Sequence, residues 1–314
     1  MIPAQTVTRM VRTRLSDVMG RLPVPSVRVS TGTAKNLSDL DSFLSTPSMS
    51  RRLLVSTLLA AAAFGAPVCA LEAQLTIEEL ELYIAPSAGS DNGRTFRVRN
   101  DAARIVQASV AIEDWDRAED GVNRFYEAGT HANSCAAHIT VFPRSLRLEP
   151  GASANVRVSI ADAGARTSSC WSIVFVESKQ APDSVGRQLT YTVRTGVKIY
   201  VEPNGLARDG QIEELTLVDH TPTAASDSAT RDVRIAFRNA GGVQLRVKSA
   251  IEVRRLDNSL VQRIEVPMFP VLPAVRRVVT SPLPALPKGR YMILALLDFG
   301  GDEIAAGQIQ YEVR

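Results

Sequence analysis

The residue types best suited to chemistry cluster in one octapeptide, HANSCAAH, spanning positions 131–138. His131, Cys135 and His138, with Cys170 as a fourth donor, are the side chains of a tetrahedral zinc site. The two cysteines can instead pair with each other and leave the histidines on a loop or a strand edge. A second cluster is acidic: Asp114, Asp116, Glu119 and Asp120 crowd one polar stretch. Neighbouring carboxylates can serve acid–base catalysis, but a polar loop between strands is more often simply solvated. There is no G-x-S-x-G elbow and no phosphate-cradling glycine loop, and the third histidine, His220, stands apart. Neither catalysis nor a cofactor is expected. Trp171 begins an apolar stretch beside Cys170 and reads as core packing. Trp115 ends a strand at a polar loop and fits either core or binding surface. The remaining candidate is a lone cation, Lys198, inside QLTYTVRTGVKIYVEP (188–203).

Compartment decides between bridge and metal. The net charge of +3 is uneven, because residues 1–70 hold 8 of the 36 Lys and Arg but only 3 of the 33 Asp and Glu. The rest is slightly acidic, with no basic stripe, so a nucleic-acid partner is disfavoured. The basic surplus flanks MSRRLLVSTLLAAAAFGAPVCALEA (49–73), which has two arginines, an apolar run and a small-residue exit at Val68-Cys69-Ala70. That is the form of a secretory signal peptide, with cleavage expected after Ala70 and export to an oxidising compartment implied. The apolar run is short for a membrane span, which takes about 20 residues, so membrane contact is expected only through the signal. Residues 1–48 lack a sustained apolar period and read as unstructured, or as an over-called start with synthesis beginning at Met49. Export favours a Cys135–Cys170 disulfide over zinc, and the two cysteines left after Cys69 suit a bridge. Closing a loop of about 35 residues contributes roughly 3–4 kcal/mol in the chain-entropy account.

The elements that must position these residues are strands. RTFRVRN, IVQASVAIEDW, HITVFP, SLRLEPG, ANVRVSI and CWSIVFVES follow a weakly alternating LTIEELELYIA, with a polar loop expected over 116–132. Short strands punctuated by proline and glycine predict an all-β fold, with one immunoglobulin-like β-sandwich over 71–203. Glu202-Pro203-Asn204-Gly205 reads as a hinge-like linker. About seven more strands, from IEELTLVD to AAGQIQYEV, predict a second sandwich over 204–314. Both halves end a strand in Asn, in RVRN and AFRN, which hints at two related sandwiches in tandem. The 188–203 stretch alternates along its whole length and outruns neighbours of about five to seven residues. A strand that overhangs its sheet offers an edge for pairing with another chain.

The first mature domain resembles the periplasmic pilus chaperones of the chaperone–usher pathway, the PapD-like family. The resemblance lies in Asn100 at a strand end, in VFPRSLRLEPGASANVRV with Pro143, Leu148, Pro150, Gly151 and Arg157, and in QLTYTVRTGVKIYVEP before the linker. It implies a chaperone that binds pilus subunits by donor-strand complementation through 188–201 and delivers them to an outer-membrane usher. Leu189, Tyr191, Val193 and Val197 would contact the partner, and Lys198 would meet the subunit's C-terminal carboxylate. The family's first-strand arginine is missing: EELELYIA carries Glu79 and Glu81 instead. Self-association through the donor strand is a further implied partner. The competing readings are a secreted or surface-attached structural or adhesive tandem sandwich and, less in keeping with the motifs, a hydrolase or metalloprotein.

Overall fold

The computed structural model describes residues 9–14, 75–87, 92–161, 167–179, 192–221, 229 and 231–314. The signal segment, Leu189 and Tyr191 lie outside the described residues. β1 (Arg9–Arg14) precedes ten strands of the first sandwich: β2 (Leu75–Ile77), β3 (Glu81–Ile84), β4 (Gly93–Asn100), β5 (Val106–Arg117), β6 (Asn123–Tyr126), β7 (Ile139–Phe142), β8 (Ser145–Leu148), β9 (Ser153–Ile160), β10 (Cys170–Lys179) and β11 (Thr192–Val201). The second sandwich has β12 (Gly210–Asp219), β13 (Arg231–Asn239), β14 (Leu245–Arg255), β15 (Leu260–Val271), β16 (Arg276–Leu283), β17 (Gly289–Asp298) and β18 (Glu303–Val313).

The architecture is all-β, two immunoglobulin-like sandwiches in tandem. In the first, a sheet ordered β2-β4-β9-β7 faces one ordered β3-β11-β10-β5-β6, with β8 also on β5. In the second, β12-β13-β16 faces β1-β18-β17-β14-β15. Period-two alternation builds each core. In β4, Phe96, Val98 and Asn100 turn inward while Arg97 and Arg99 face water. Phe96, Val156, Val158, Val174, Val197 and Ile199 meet in the first core, each fully buried; such a side chain contributes about 1.5–3 kcal/mol relative to exposure. Phe237, Leu215, Ile235, Leu245 and Ile293 do the same in the second.

The two strand-ending asparagines do the same work in both halves. Asn100 Nδ2 donates to the carbonyls of Arg104, Leu148 and Glu149, and its Oδ1 accepts from Ala102 N. Asn239 Nδ2 donates to Val243 and Val271, and its Oδ1 accepts from Gly241 N. Each amide pins its own turn and a neighbouring strand, which a buried polar group must do to offset its desolvation.

Three expectations differ from the structure. The weak LTIEELELYIA strand is two strands in opposite sheets, because Ile77 and Leu82 each reach the core from their own side. The 116–132 loop contains β6, a hairpin on the end of β5 made possible by Gly121 at φ 92°. Within 1–48, Arg9–Arg14 is a strand antiparallel to β18, on the side of that strand away from β17.

Candidate functional site

β11 carries the site. Antiparallel pairing with β10 runs its whole length, from Thr192 opposite Lys179 to Val201 opposite Cys170. On its other side, β3 runs parallel but covers only Lys198–Val201. Residues 192–197 therefore have one edge with no strand partner among the described residues. Lys198 N donates to Leu80 O at 2.8 Å and Glu202 N to Ile84 O at 2.9 Å, so even-numbered residues aim their backbone groups toward the β3 side. The backbone N–H and C=O of Thr192, Arg194 and Gly196 face the open edge, and those of Val193, Thr195 and Val197 face β10.

Side chains follow the same parity. Val197, Ile199 and Val201 point into the first core, and Val193 shares their face but, beyond it, stands 40% exposed. Val197 was expected to contact a partner; its side chain is wholly buried in this sandwich and its backbone is turned to β10. On the outer face, register sets Lys198 beside Glu81 and Ile173, and Tyr200 beside Tyr83 and Trp171. Trp115 lies opposite Trp171's strand and Phe125, and Arg117 opposite Asn123.

A groove of ≈ 660 Å³ runs over this face beside the bare edge, floored by Gly196, Ile173 and Phe175 and walled by Leu80, Phe125 and Lys198. A Cβ at position 196 would lie 2.5 Å from Ile173 Cδ1, so glycine keeps the floor low. Phe125 meets Phe175 edge-on with centroids 5.2 Å apart, and the Arg194 guanidinium sits 3.9 Å above Phe175. Ion pairs to Glu113 and Glu177 hold Arg194 there.

At the groove's end Lys198 Nζ lies 4.8 Å from the centroid of the fully buried Trp115 ring, and the Arg117 guanidinium carbon lies 5.3 Å from the same centroid. Trp115 is fixed by its Nε1–H on Ser172 O and by Trp171 Nε1–H on its own carbonyl. Burial, then the Arg117 charge, lower the Lys198 pKa, and Glu81 opposes them. Glu81 is in register with Lys198 but also holds Arg246 at 3.5 Å and Tyr83 Oη at 3.1 Å. Tyr83 stacks on Tyr200 at 4.9 Å. Burial first, then the Glu81 charge, push both phenols far above their usual range, so both stay protonated. Gln244 of the second sandwich reads them in opposite senses, accepting from Tyr83 Oη at 2.7 Å and donating to Tyr200 Oη at 3.0 Å. Its backbone N–H donates to Glu202, and Leu272 packs on the Trp115–Tyr200 cluster. Tyr200, just before the stretch expected to act as a hinge, and Glu202, its first residue, are thus both bonded to Gln244.

The other candidates resolve into structural parts. Cys135 and Cys170 form a disulfide with Cα atoms 5.3 Å apart, so Cys135 is not available as a thiolate ligand to His131 and His138. Among the described residues no group of three metal-ligating side chains is assembled. Asp114 is buried, accepting from His131 N and Ser134 Oγ. Burial would raise the Asp116 carboxyl, but hydrogen bonds from Arg124 and Tyr126 outweigh it and hold the pKa low. Glu119 pairs with Arg276 of the second sandwich. Arg117 was not foreseen; continuing the outer-face parity of Glu113 and Trp115 by one step would have found it.

No protein-family model matches the sequence, and no curated protein sequence matches it. Solved structures do. Similar structures include the class 5 fimbriae chaperone CfaA, at 14% identity and TM-score 0.44 over 76% of this chain and 99% of that one. A structure described as a chaperone–tip adhesin complex in CFA/I fimbriae biogenesis matches at 12% identity and TM-score 0.45, over 75% and 98% of the two chains. The E. coli chaperone DraB matches at 15% identity and TM-score 0.39, over 76% and 96%. The chain is similar to fimbrial chaperones. At such identities and TM-scores the likeness by itself assigns no residue a role, and the groove beside β11 must carry the functional argument.

Proposed function

We propose that this protein is a periplasmic chaperone of pilus or fimbrial subunits that works by strand donation and passes its client to an outer-membrane usher. The observation that carries the proposal is the bare edge of residues 192–197, continuous with a groove floored by Gly196, Ile173 and Phe175 and flanked by Glu81, Arg194 and Lys198. An incomplete client sandwich would pair its own strand with the N–H and C=O groups of Thr192, Arg194 and Gly196. Val193 and, upstream, Tyr191 and Leu189 would fill the client's exposed core, since odd positions share the core-facing parity of Val197 and Ile199. Lys198 would take the client's terminal carboxylate, and an ion-assisted hydrogen bond at that point would fix the register of pairing. In the free protein the same edge can pair with a second copy.

The test is expression of the full chain in a cell with a periplasm, with co-purifying proteins identified by mass spectrometry beside Lys198→Ala and Leu189→Asp variants. Recovery of a small secreted β-protein that both variants lose supports the proposal. A clean monomer without client would instead favour a structural tandem-sandwich protein of the cell surface.

A further inference from the structure

The turn that joins β5 to β6 belongs to the first sandwich but is held by the second. Val278 of β16 lies opposite Ala236 of β13 on one side, and on the other its N–H donates to Glu119 O at 2.8 Å. Arg277 Nη1 donates to the same carbonyl at 2.6 Å, and Arg276 Nη1 to the Glu119 carboxylate at 2.6 Å. The turn is shaped for this contact: Gly121 stands at φ 92°, and a Cβ there would lie 2.2 Å from Arg277 Nη2. The outer edge of β16 is thus continued by a turn of the other sandwich.

What the turn carries is a wall of the groove. β6 is four residues long, lies at the edge of its sheet and pairs with β5 alone among the described residues. A two-stranded hairpin is marginal by itself. Ala118 N donates to Val122 O, and alternation from that bond turns the Arg124 and Tyr126 N–H groups onto β5. Phe125 shares the face of its register partner Trp115 and meets Phe175 on the groove floor.

The hold on the turn is opposed as well as made. Burial, then the Arg117 charge, lower the Arg277 pKa, and Asp120 opposes them. The buried Arg277 Nε has no hydrogen-bond partner among the described residues. A buried donor left bare costs free energy that the other bonds of the side chain must offset. A contact under such opposition is released by a smaller perturbation than a fully satisfied one.

We infer that the Ala118–Gly121 turn is a latch through which β16 positions Phe125, coupling occupation of the β11 groove to contact between the two sandwiches. This rests on the strand-donation reading and adds to it a means of regulation at the same groove. With the latch closed, Phe125 stands over Phe175 and walls the groove. With it open, β6 lifts from its turn end and the wall is lost. The coupling is reciprocal: a client strand packed on Phe125 tightens the latch and so makes its presence felt in the second sandwich.

The test places the latch substitutions in the second sandwich and reads the first. In the full chain, Arg277→Ala removes one bond to Glu119 O, and Val278→Pro removes the other on the edge of β16 that β13 does not use. Hydrogen exchange at Arg124 and Tyr126 follows β6, and binding of a short synthetic peptide of alternating valine and threonine follows the groove. Each variant should speed exchange at Arg124 and Tyr126 by about tenfold, while Val174 in the core of β10 keeps its wild-type rate. Each should weaken the peptide by about threefold to tenfold, the share of one aromatic wall. Phe125→Ala should weaken it equally, and adding Val278→Pro to Phe125→Ala should change nothing further. Unchanged exchange at Arg124 and Tyr126 in both variants, or faster exchange at Val174 as well, overturns a local latch. Faster β6 exchange with unchanged peptide affinity overturns its coupling to the groove. Losses that add in the double variant overturn the route through Phe125. A wild type that binds no peptide overturns strand donation and the groove's part in the coupling, while exchange at β6 still decides whether β16 holds the turn.

Discussion

A proline scan across two adjacent residues of β11 separates the free edge from the paired one. Alternation aims the Arg194 N–H at the open edge and the Thr195 N–H at β10, where Thr195 faces Val176. Proline removes a backbone donor and puts ring carbons in its place. Thr195→Pro therefore deletes a ladder hydrogen bond, about 1 kcal/mol net, and leaves a carbonyl of a fully paired central strand without its donor, about 1–3 kcal/mol more. A loss of roughly 2–4 kcal/mol is a large share of a domain's usual 5–15 kcal/mol. Arg194→Pro deletes a donor that no described strand uses. Its cost beyond Arg194→Ala, which accounts for the ion pairs to Glu113 and Glu177, should be under about 1 kcal/mol. Urea denaturation of the three variants and the wild type measures these differences. Client capture should nevertheless fall in Arg194→Pro, since the ring projects into the space a partner strand needs. The reasoning is refuted if Arg194→Pro unfolds the protein as readily as Thr195→Pro, because the edge would then already be in use.

Replacing both Cys135 and Cys170 by serine should lower stability by about 3–4 kcal/mol for a separation of 35 residues, read from the urea midpoint under non-reducing conditions. Asn100→Ala and Asn239→Ala should each cost about 2–4 kcal/mol, since each strips buried carbonyls of their donor; similar losses from the two would mark them as the same device used twice, and a loss below about 1 kcal/mol in either would remove it from that role. Lys198 has its pKa lowered in the folded protein by burial and by Arg117, so the unfolded chain binds more protons in the window below the ordinary lysine value. Stability should therefore rise with pH through that window in the wild type, and Lys198→Met should flatten the rise, as followed by thermal unfolding at stepped alkaline pH.

Much of this fold is written in local pattern. The inward Phe96, Val98 and Asn100 of β4 alternate in the sequence as they do in the sheet, and the strands of the second sandwich follow their apolar runs closely. What pattern did not carry was set by partners distant in the chain. β6 is only NRFY, too short to alternate visibly, and exists because Gly121 lets the chain turn back on β5. Asp114 and Asp116 look like solvated loop acids until His131, Ser134 and Arg124 fold onto them. The position of Lys198 at a strand end was legible, as was the absence of a first-strand arginine; register confirms Glu81 directly beside it. Arg117 was hidden by its neighbours, since DWDR reads as charge around one tryptophan. Only the pairing of β5 with β10 puts Trp115 and Arg117 on the face that Lys198 shares. For Val197 alternation identified the face correctly, but how far the core extends beneath a strand is a property of the opposing sheet.

The most direct measurement of strand donation is residue-resolved hydrogen exchange along β11, with the protein free and with a co-expressed client. In the free protein the amides of Thr192, Arg194 and Gly196 should exchange quickly while those of Thr195 and Val197, bonded to β10, are protected. Binding of the client should protect the first set and leave the second unchanged. Capture of a client with no change at Thr192, Arg194 and Gly196 would contradict strand donation and move the binding surface away from β11.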